Sequence, residues 1–288
     1  MAQTPYAYFP GCTLHGTMLE YNASAKLVCK TVGVELRELK DWNCCGAWSA
    51  HTTDYMLGLS LPARNLQKAE AMQLPMVVPC AVGFSRMKLA MHEMENPTVL
   101  KAVNQVIDKP FKNSVTVEPL LKVLSADSLT LDVKKPLQGL KVACYYGCLL
   151  VRPQKILKFD DEDNPMTMDR LMSRLGAEPV DWDFKTECCG AGMSMPRPDV
   201  VNRLSSKILL AAKNMGADCI AVACPMCHFN LDFHQREIEA ERKEKIQMPA
   251  LYFTQLMGLA LGHSPKDLML DKHLVDPMPM LKMKGMAA

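Results

Sequence analysis

Short apolar runs alternate with stretches of helical periodicity along this chain. Met168, Leu171, Met172 and Leu175 recur at i, i+3, i+4, i+7 spacing, and Val201, Leu204, Ile208, Leu209 and Ala212 follow the same stripe. Each set predicts an amphipathic helix. The runs MVV at 76–78 and CIAVA at 219–223 are too short for helices and lead into turn signals, so they read as buried parallel strands. Gly33 and Gly176 stand where helices should stop. Strands that alternate with helices predict an α/β architecture with right-handed crossovers.

The pattern occurs twice. The first copy runs YAYFPGC (6–12), helix, GVELREL (33–39), DWNCCGA (41–47), helix, MVVPCAVGF (76–84). The second runs CYYGC (144–148), helix, GAEPVDW (176–182), TECCGA (186–191), helix, CIAVACPMCHF (219–229). Two pseudo-symmetric lobes are expected, at 1–95 and 140–262, each a small, mostly parallel sheet flanked by helices. Residues 96–139 connect them, with a short helix expected in VEPLLKVL (117–124), and 263–288 form a C-terminal extension. Its end, PMPMLKMKGMAA, has no pattern that would make it regular core.

The duplication decides how the 12 cysteines are read. No apolar stretch reaches the roughly 18–20 residues of a membrane span, and the N-terminus has no basic segment followed by an apolar one. A cytoplasmic location is therefore expected, where metal or redox chemistry is a better use of cysteine than a disulfide framework. Net charge is +2, which gives no reason to expect nucleic acid as a partner.

Ligand sites in open α/β folds gather beyond the carboxyl ends of the strands. Cys12, Cys80, Cys148 and Cys224 each follow an expected strand, and Cys44-Cys45 and Cys188-Cys189 each lie between a strand and a helix. The second set reads Cys148, 39 residues, Cys188-Cys189, 34 residues, Cys224-x-x-Cys227. The first reads Cys12, 31 residues, Cys44-Cys45, 34 residues, Cys80, with Gly83 where a fifth cysteine would stand. Five thiolates exceed what one tetrahedral zinc accepts, whereas a polynuclear iron–sulfur cluster can use them. Cys29, Cys144 and Cys219 are expected in the core.

Cysteine, a gap of 31–39 residues, CC, a second gap and CxxC, with CPMCHFNLD at 224–232, resembles the CCG-domain pattern of the heterodisulfide reductase B subunit over essentially the whole chain. The resemblance implies a noncubane [4Fe–4S] cluster on Cys148, Cys188, Cys189, Cys224 and Cys227. It also implies a second iron–sulfur cluster on Cys12, Cys44, Cys45 and Cys80, where four thiolates leave a cubane, a smaller cluster or a capped noncubane cluster open. A disulfide would be bound between the two clusters and cleaved by one electron from each side. The substrate would be a small-molecule disulfide or a sulfur-carrier protein. The partners implied are a ferredoxin protein like the C subunit of heterodisulfide reductase and, through it, the flavoprotein A subunit. This chain itself has neither the C-x2-C-x2-C-x3-C run of a ferredoxin nor a GxGxxG for flavin or NAD. Two alternatives remain: the CCG subunit of a lactate, glycolate or succinate oxidase-type complex, and a wiring subunit without its own substrate.

Disulfide reduction also consumes two protons. His15 and His228, close in sequence to Cys12 and Cys227, are the candidate donors, with His51 behind them. His92, His234, His263 and His273 are expected at the surface. Arg86, Lys88, Arg152 and Arg197 lie near the motifs and are candidates for binding acidic substrate groups.

Overall fold

The structure, a computed structural model, describes residues 4–286. Two four-stranded sheets, parallel throughout, carry the fold. The first contains β1 (Thr4–Tyr8), β2 (Val34–Glu38), β3 (Met76–Val78) and β4 (Val117–Pro119), in the order β2-β1-β3-β4. The second contains β5 (Lys141–Tyr145), β6 (Glu178–Pro179), β7 (Cys219–Val222) and β8 (Ala250–Tyr252), in the order β6-β5-β7-β8. The two sheets match strand for strand, so the α/β reading with two pseudo-symmetric lobes holds. Helices cover both faces, and accordingly β3, β7 and β8 are buried along their whole length.

This strand order positions the site. The chain crosses one way from β1 to β2 and the other way to β3, which opens a crevice beyond the ends of β1 and β3. Tyr8, the last residue of β1, pairs with Val77, one residue before β3 ends, and Tyr145 pairs with Val222 at the ends of β5 and β7, so the partner strands end within one residue of each other. The segments that carry Cys12 and Cys80 leave the first sheet at one edge, and those that carry Cys148 and Cys224 leave the second in the same way.

Three expectations are corrected. VEPLLKVL is not all helix: Val117–Pro119 pair with β3 as a strand, and only Leu120–Leu124 are helical. The expected connection thus completes the first sheet. Three residues are too few to show a period of two, which also explains why the sequence pattern does not reveal Ala250–Tyr252. The C-terminal end is not outside the core. Met278–Met283 form a helix with Met280 and Leu281 buried, and Lys284 Nζ reaches Gly139 O and Asp218 Oδ2, each at 2.7 Å. His234 and His273 are buried, not at the surface.

The lobes meet through the helix Leu19–Thr31 of the first and the helix Phe253–Ala260 of the second. Ser24 and Thr254 hydroxyls lie 2.8 Å apart. Tyr21 stacks on Tyr252 with ring centres 4.0 Å apart, and its hydroxyl donates to Pro79 O at 3.1 Å and Ala223 O at 3.3 Å. Those carbonyls immediately precede Cys80 and Cys224, so one fully buried hydroxyl ties together the two strand ends that bear cysteines. Tyr21→Phe leaves two buried carbonyls short of a donor and is expected to lower unfolding stability by about 1–3 kcal/mol, measured by denaturant titration.

Candidate metal centre

Each lobe builds its cysteine set from three chain segments. The first leaves β1 or β5 through an aromatic pair or an aromatic-proline step and a glycine with positive φ, Gly11 at 77° and Gly147 at 69°. A side chain at Gly147 would place its Cβ 2.9 Å from Cys227 Sγ, so the turn has to be glycine for the thiols to converge. The second segment is the CCGA loop. The N–H of Gly46 points at Cys44 Sγ (3.5 Å) and that of Gly190 at Cys188 Sγ (3.3 Å). The third is the start of a helix: Cys80 and Cys224 stand immediately before Ala81–Glu93 and Pro225–Phe233, whose free N–H ends favour thiolate. Cys227 lies one turn into its helix, and Gly83 occupies the same place in the first lobe.

The segments of the second lobe are braced by a buried network. Lys185 Nζ lies 3.0 Å from Asp169 Oδ1, with both side chains almost wholly enclosed, and Tyr146 Oη donates to Asp169 Oδ2 at 2.6 Å. The Lys185 carbonyl accepts from the N–H groups of Tyr146 (2.9 Å) and Gly147 (3.1 Å). The turn before Cys148 is thereby locked to the turn that leads to Cys188.

All nine candidate ligands converge on two cavities. Cys12, Cys44, Cys45 and Cys80 line one of about 150 Å³. Cys148, Cys188, Cys189, Cys224 and Cys227 line the other, of about 90 Å³. Within them, Cys12 and Cys44 Sγ are 3.6 Å apart, as are Cys189 and Cys227 Sγ. The two cavities adjoin: Trp48 and Val82 line both, Met226 of the second lobe reaches the first cavity, and the Cys80 and Cys224 thiols are close enough to shift each other's ionisation, Cys80 upward and Cys224 downward. Cys29, Cys144 and Cys219 are buried in the core and line neither cavity. Burial pushes the Cys29 thiol up to about 12.

Crowding splits the thiols into donors and acceptors of protons. Cys12 is pushed up by its hydrogen bond to Cys44 and by burial, and Cys148 by its bond to Cys188 and by burial. Cys188, stabilised as thiolate by Cys148 and the Gly190 N–H, is lowered to about 6. Cys227 is raised by Cys189 and Cys224, and Cys224 is lowered by Cys227 and Cys80. Neither set can be fully ionised by itself; a cation that binds thiolate would remove the conflict. The donors are all sulfur, with apolar walls and amide N–H groups aimed at two of them. That chemistry fits an iron–sulfur cluster in each cavity.

The expected proton donors are not in the cavities. His15 Nε2 pairs with Glu38 at 3.0 Å, and its ring stands edge-on to Trp42. His228 follows Cys227 on a helix, so its side chain points about 100° away. It stacks on Tyr252, lines a separate cavity and is held neutral by burial. His51 is exposed and faces its own turn, with Nδ1 3.2 Å from Ala47 O. Arg152 is tied to Asp163 and Thr186, and Arg197 to Asp199. Burial lowers the Lys88 ammonium against the opposing pull of Glu118, whereas the Arg86 guanidinium helps to lower the Cys45 thiol.

Sequence reasoning missed Trp48 and Asn230. Asn230 Nδ2 donates to Cys189 O at 3.0 Å and lies 3.7 Å from Cys189 Sγ. Trp48 was visible as the difference between NCCGAW and ECCGAG: it packs on Gly192, its counterpart in the other copy, whose Cβ would lie 3.5 Å from the indole.

The cysteine-rich domain family, CCG, matches residues 6–84 and 142–232, the two segments that bear the cysteine sets. The chain belongs to the CCG family. Among proteins similar to it is the 8-methylmenaquinol:fumarate reductase membrane anchor subunit of Wolinella succinogenes, 34% identical over 95% of this chain and 98% of that one. The B subunit of a ferredoxin/F420H2-dependent CoB-CoM heterodisulfide reductase from Methanosarcina acetivorans is 30% identical over 93% of this chain and 92% of its own length. The B subunit of the ferredoxin:CoB-CoM heterodisulfide reductase of Methanosarcina mazei is 29% identical over the same shares. The CCG match and these relatives support an electron-transfer iron–sulfur subunit. A solved structure of a hypothetical protein from Helicobacter pylori shares the fold, with a TM-score of 0.76 at 16% identity. It matches 95% of this chain, which spans about half the length of that one, 53%. Among the described residues, no helix is long and apolar enough to cross a membrane.

Two expectations test the centre. Cys189→Ser should lower bound iron and the visible iron–sulfur absorbance, while Cys29→Ser leaves both unchanged. Lys185→Met, which strands the buried Asp169 carboxylate, should cost about 3–5 kcal/mol in a denaturant titration.

Proposed function

We propose that this chain is the redox subunit of a heterodisulfide-reductase-type complex and that a disulfide, or sulfur carried on a thiol, reacts where its two cysteine cavities adjoin. The adjacency of those cavities, with Trp48 and Val82 lining both, is the observation that carries this reading. Cleavage of R–S–S–R′ takes two electrons and two protons and yields RSH and R′SH. Two one-electron centres on either side of one substrate match that requirement. When bound, an iron–sulfur cluster supplies one-electron transfer and an affinity for sulfur.

The second lobe, through Cys148, Cys188, Cys189, Cys224 and Cys227, holds a noncubane [4Fe–4S] cluster, and the first holds another iron–sulfur cluster on Cys12, Cys44, Cys45 and Cys80. Phe9, Val82 and Met226 keep the space around the thiols apolar, and half-buried Trp48 offers a flat surface between the cavities. Cys12, Cys44 and Cys188 are exposed, so the rim is open to solvent. Protons arrive from that side, since His15 and His228 are turned elsewhere. Electrons pass to or from a ferredoxin-like partner and, beyond it, a flavoprotein.

A second reading has the chain linking a fumarate- or succinate-converting flavoprotein to quinol. The 34% identity to the Wolinella protein favours it, as does the missing ligand at Gly83, which breaks the symmetry of a two-sided disulfide site.

The test uses anaerobically purified complex, reduced and titrated with a mixed disulfide under EPR observation. A new paramagnetic species, with about two thiols released per disulfide, supports the reductase. An unchanged spectrum with every disulfide and persulfide, joined to reoxidation by a quinone analogue, replaces it with the second reading. Iron near eight atoms per chain is expected for two [4Fe–4S] clusters; about four would leave the first lobe without one.

A further inference from the structure

His228 and Asp232 lie four residues apart on the helix Pro225–Phe233 and so share one face. His273, from the C-terminal segment, folds back against them. One potential ligand atom from each of the three lies within 4.8 Å of the others, and all three side chains are buried. Glu20, 4% exposed, lines the same cavity of about 400 Å³ as His228 and Asp232. This cavity does not include any of the nine cysteines.

The hydrogen bonds around the cluster fix its protons. Gln255 accepts from the Tyr252 N–H at 3.0 Å and donates Nε2–H to Leu268 O at 3.1 Å, so its Oε1 is the atom that faces His273 Nε2 at 3.0 Å. His273 is therefore protonated on Nε2, and its Nδ1 is a bare lone pair. Nδ1 lies 2.9 Å from His228 Nε2, which also lies 3.0 Å from Ala250 O; both neighbours are acceptors, so His228 Nε2 carries the hydrogen. That leaves His228 Nδ1 unprotonated, and it has no hydrogen-bond partner among the described residues although the side chain is 2% exposed. Asp232 is held by the N–H groups of Leu274 (2.8 Å) and Val275 (2.9 Å). Neither Asp232 nor Glu20 forms a salt bridge among the described residues.

Two buried imidazoles and two buried carboxylates thus gather with only Lys272 of the same cavity as a nearby positive charge, and it forms no salt bridge with Asp232 or Glu20 among the described residues. His228 Nδ1 is free, and His273 Nδ1 would exchange the His228 hydrogen for an ion while His228 Nε2–H keeps Ala250 O. The outer groups that orient metal ligands, an amide on His273 and backbone N–H groups on the carboxylate, are already in place. We propose that His228, Asp232 and His273, with Glu20 beside them, bind a divalent cation of the zinc class at a site separate from both cysteine cavities. Nitrogen and carboxylate donors suit zinc, and a hard cation alone would not select two imidazoles. Bound there, the ion joins the C-terminal segment to the helix that presents Cys224 and Cys227.

The probe is Zn²⁺ itself. Anaerobically purified protein with its iron–sulfur centres intact is supplied with zinc, dialysed and assayed for zinc and iron, and the zinc X-ray absorption edge is recorded. About one zinc per chain is expected, with a nitrogen and oxygen shell near 2.0–2.1 Å. His273→Ala and Asp232→Asn should each weaken zinc binding by at least about tenfold with iron content unchanged. No retained zinc, sulfur scatterers near 2.3 Å that place the ion among cysteines, or full retention in both variants overturns the site. The absorption spectrum of the unmodified chain decides the matter even if a variant does not fold.

Discussion

Thiols crowded into one crevice cannot all be ionised, because each negative charge raises the cost of the next. Both lobes are organised around that constraint. Strand order brings three segments to one crevice, glycine turns remove the side chains that would hold the sulfurs apart, and helix starts and amide N–H groups offset part of the charge. The remainder is left as a proton-sharing network in which Cys188 ionises at the expense of Cys148, and Cys224 at the expense of Cys227. Such a network is stable only while protons remain on it or a cation replaces them. The fold therefore builds a demand for metal into each cavity.

The same demand links the lobes. Cys80 and Cys224 belong to different sets yet influence each other's ionisation directly. Filling one cavity would therefore change the charge felt in the other. Tyr21 fixes the separation, because its hydroxyl bonds the carbonyls just before both cysteines. A side chain from the first lobe's second helix thereby holds a distance that would otherwise depend on two independent sheets.

Much of this was legible in the sequence because the cysteines are anchored to strand ends, and strand ends can be located from apolar runs. The equal intervals between CC and the next cysteine in the two copies carry the duplication without any structure. What escaped depended on contacts distant in the chain. β4 and β8 are three residues each and are defined by their neighbours, not by their own pattern. His273 reads as a surface residue until the C-terminal segment docks and buries it against His228 and Gln255. The position of His228 beside Cys227 suggested a common site, but adjacent helical residues point in different directions, and the imidazole faces the other side of the helix.

The difference between the lobes has a physical reading. At Gly83 a Cβ would lie 3.2 Å from Val78 Cγ1 and 3.5 Å from Phe9 Cε1, so the space a fifth ligand needs is partly taken by the walls. At the matching place in the second lobe, Cys227 fits because Gly147 clears the way. The first cavity is nonetheless the larger, and it borrows Met226 from the second lobe. With Gly83 in place of a fifth cysteine, the first cavity has an apolar wall and Trp48, which lines both cavities and packs over Gly192. A four-cysteine cavity walled in this way is shaped differently from its partner, and two centres in unlike surroundings differ in potential. Under the proposed function, that inequality would give electron flow between the lobes a direction.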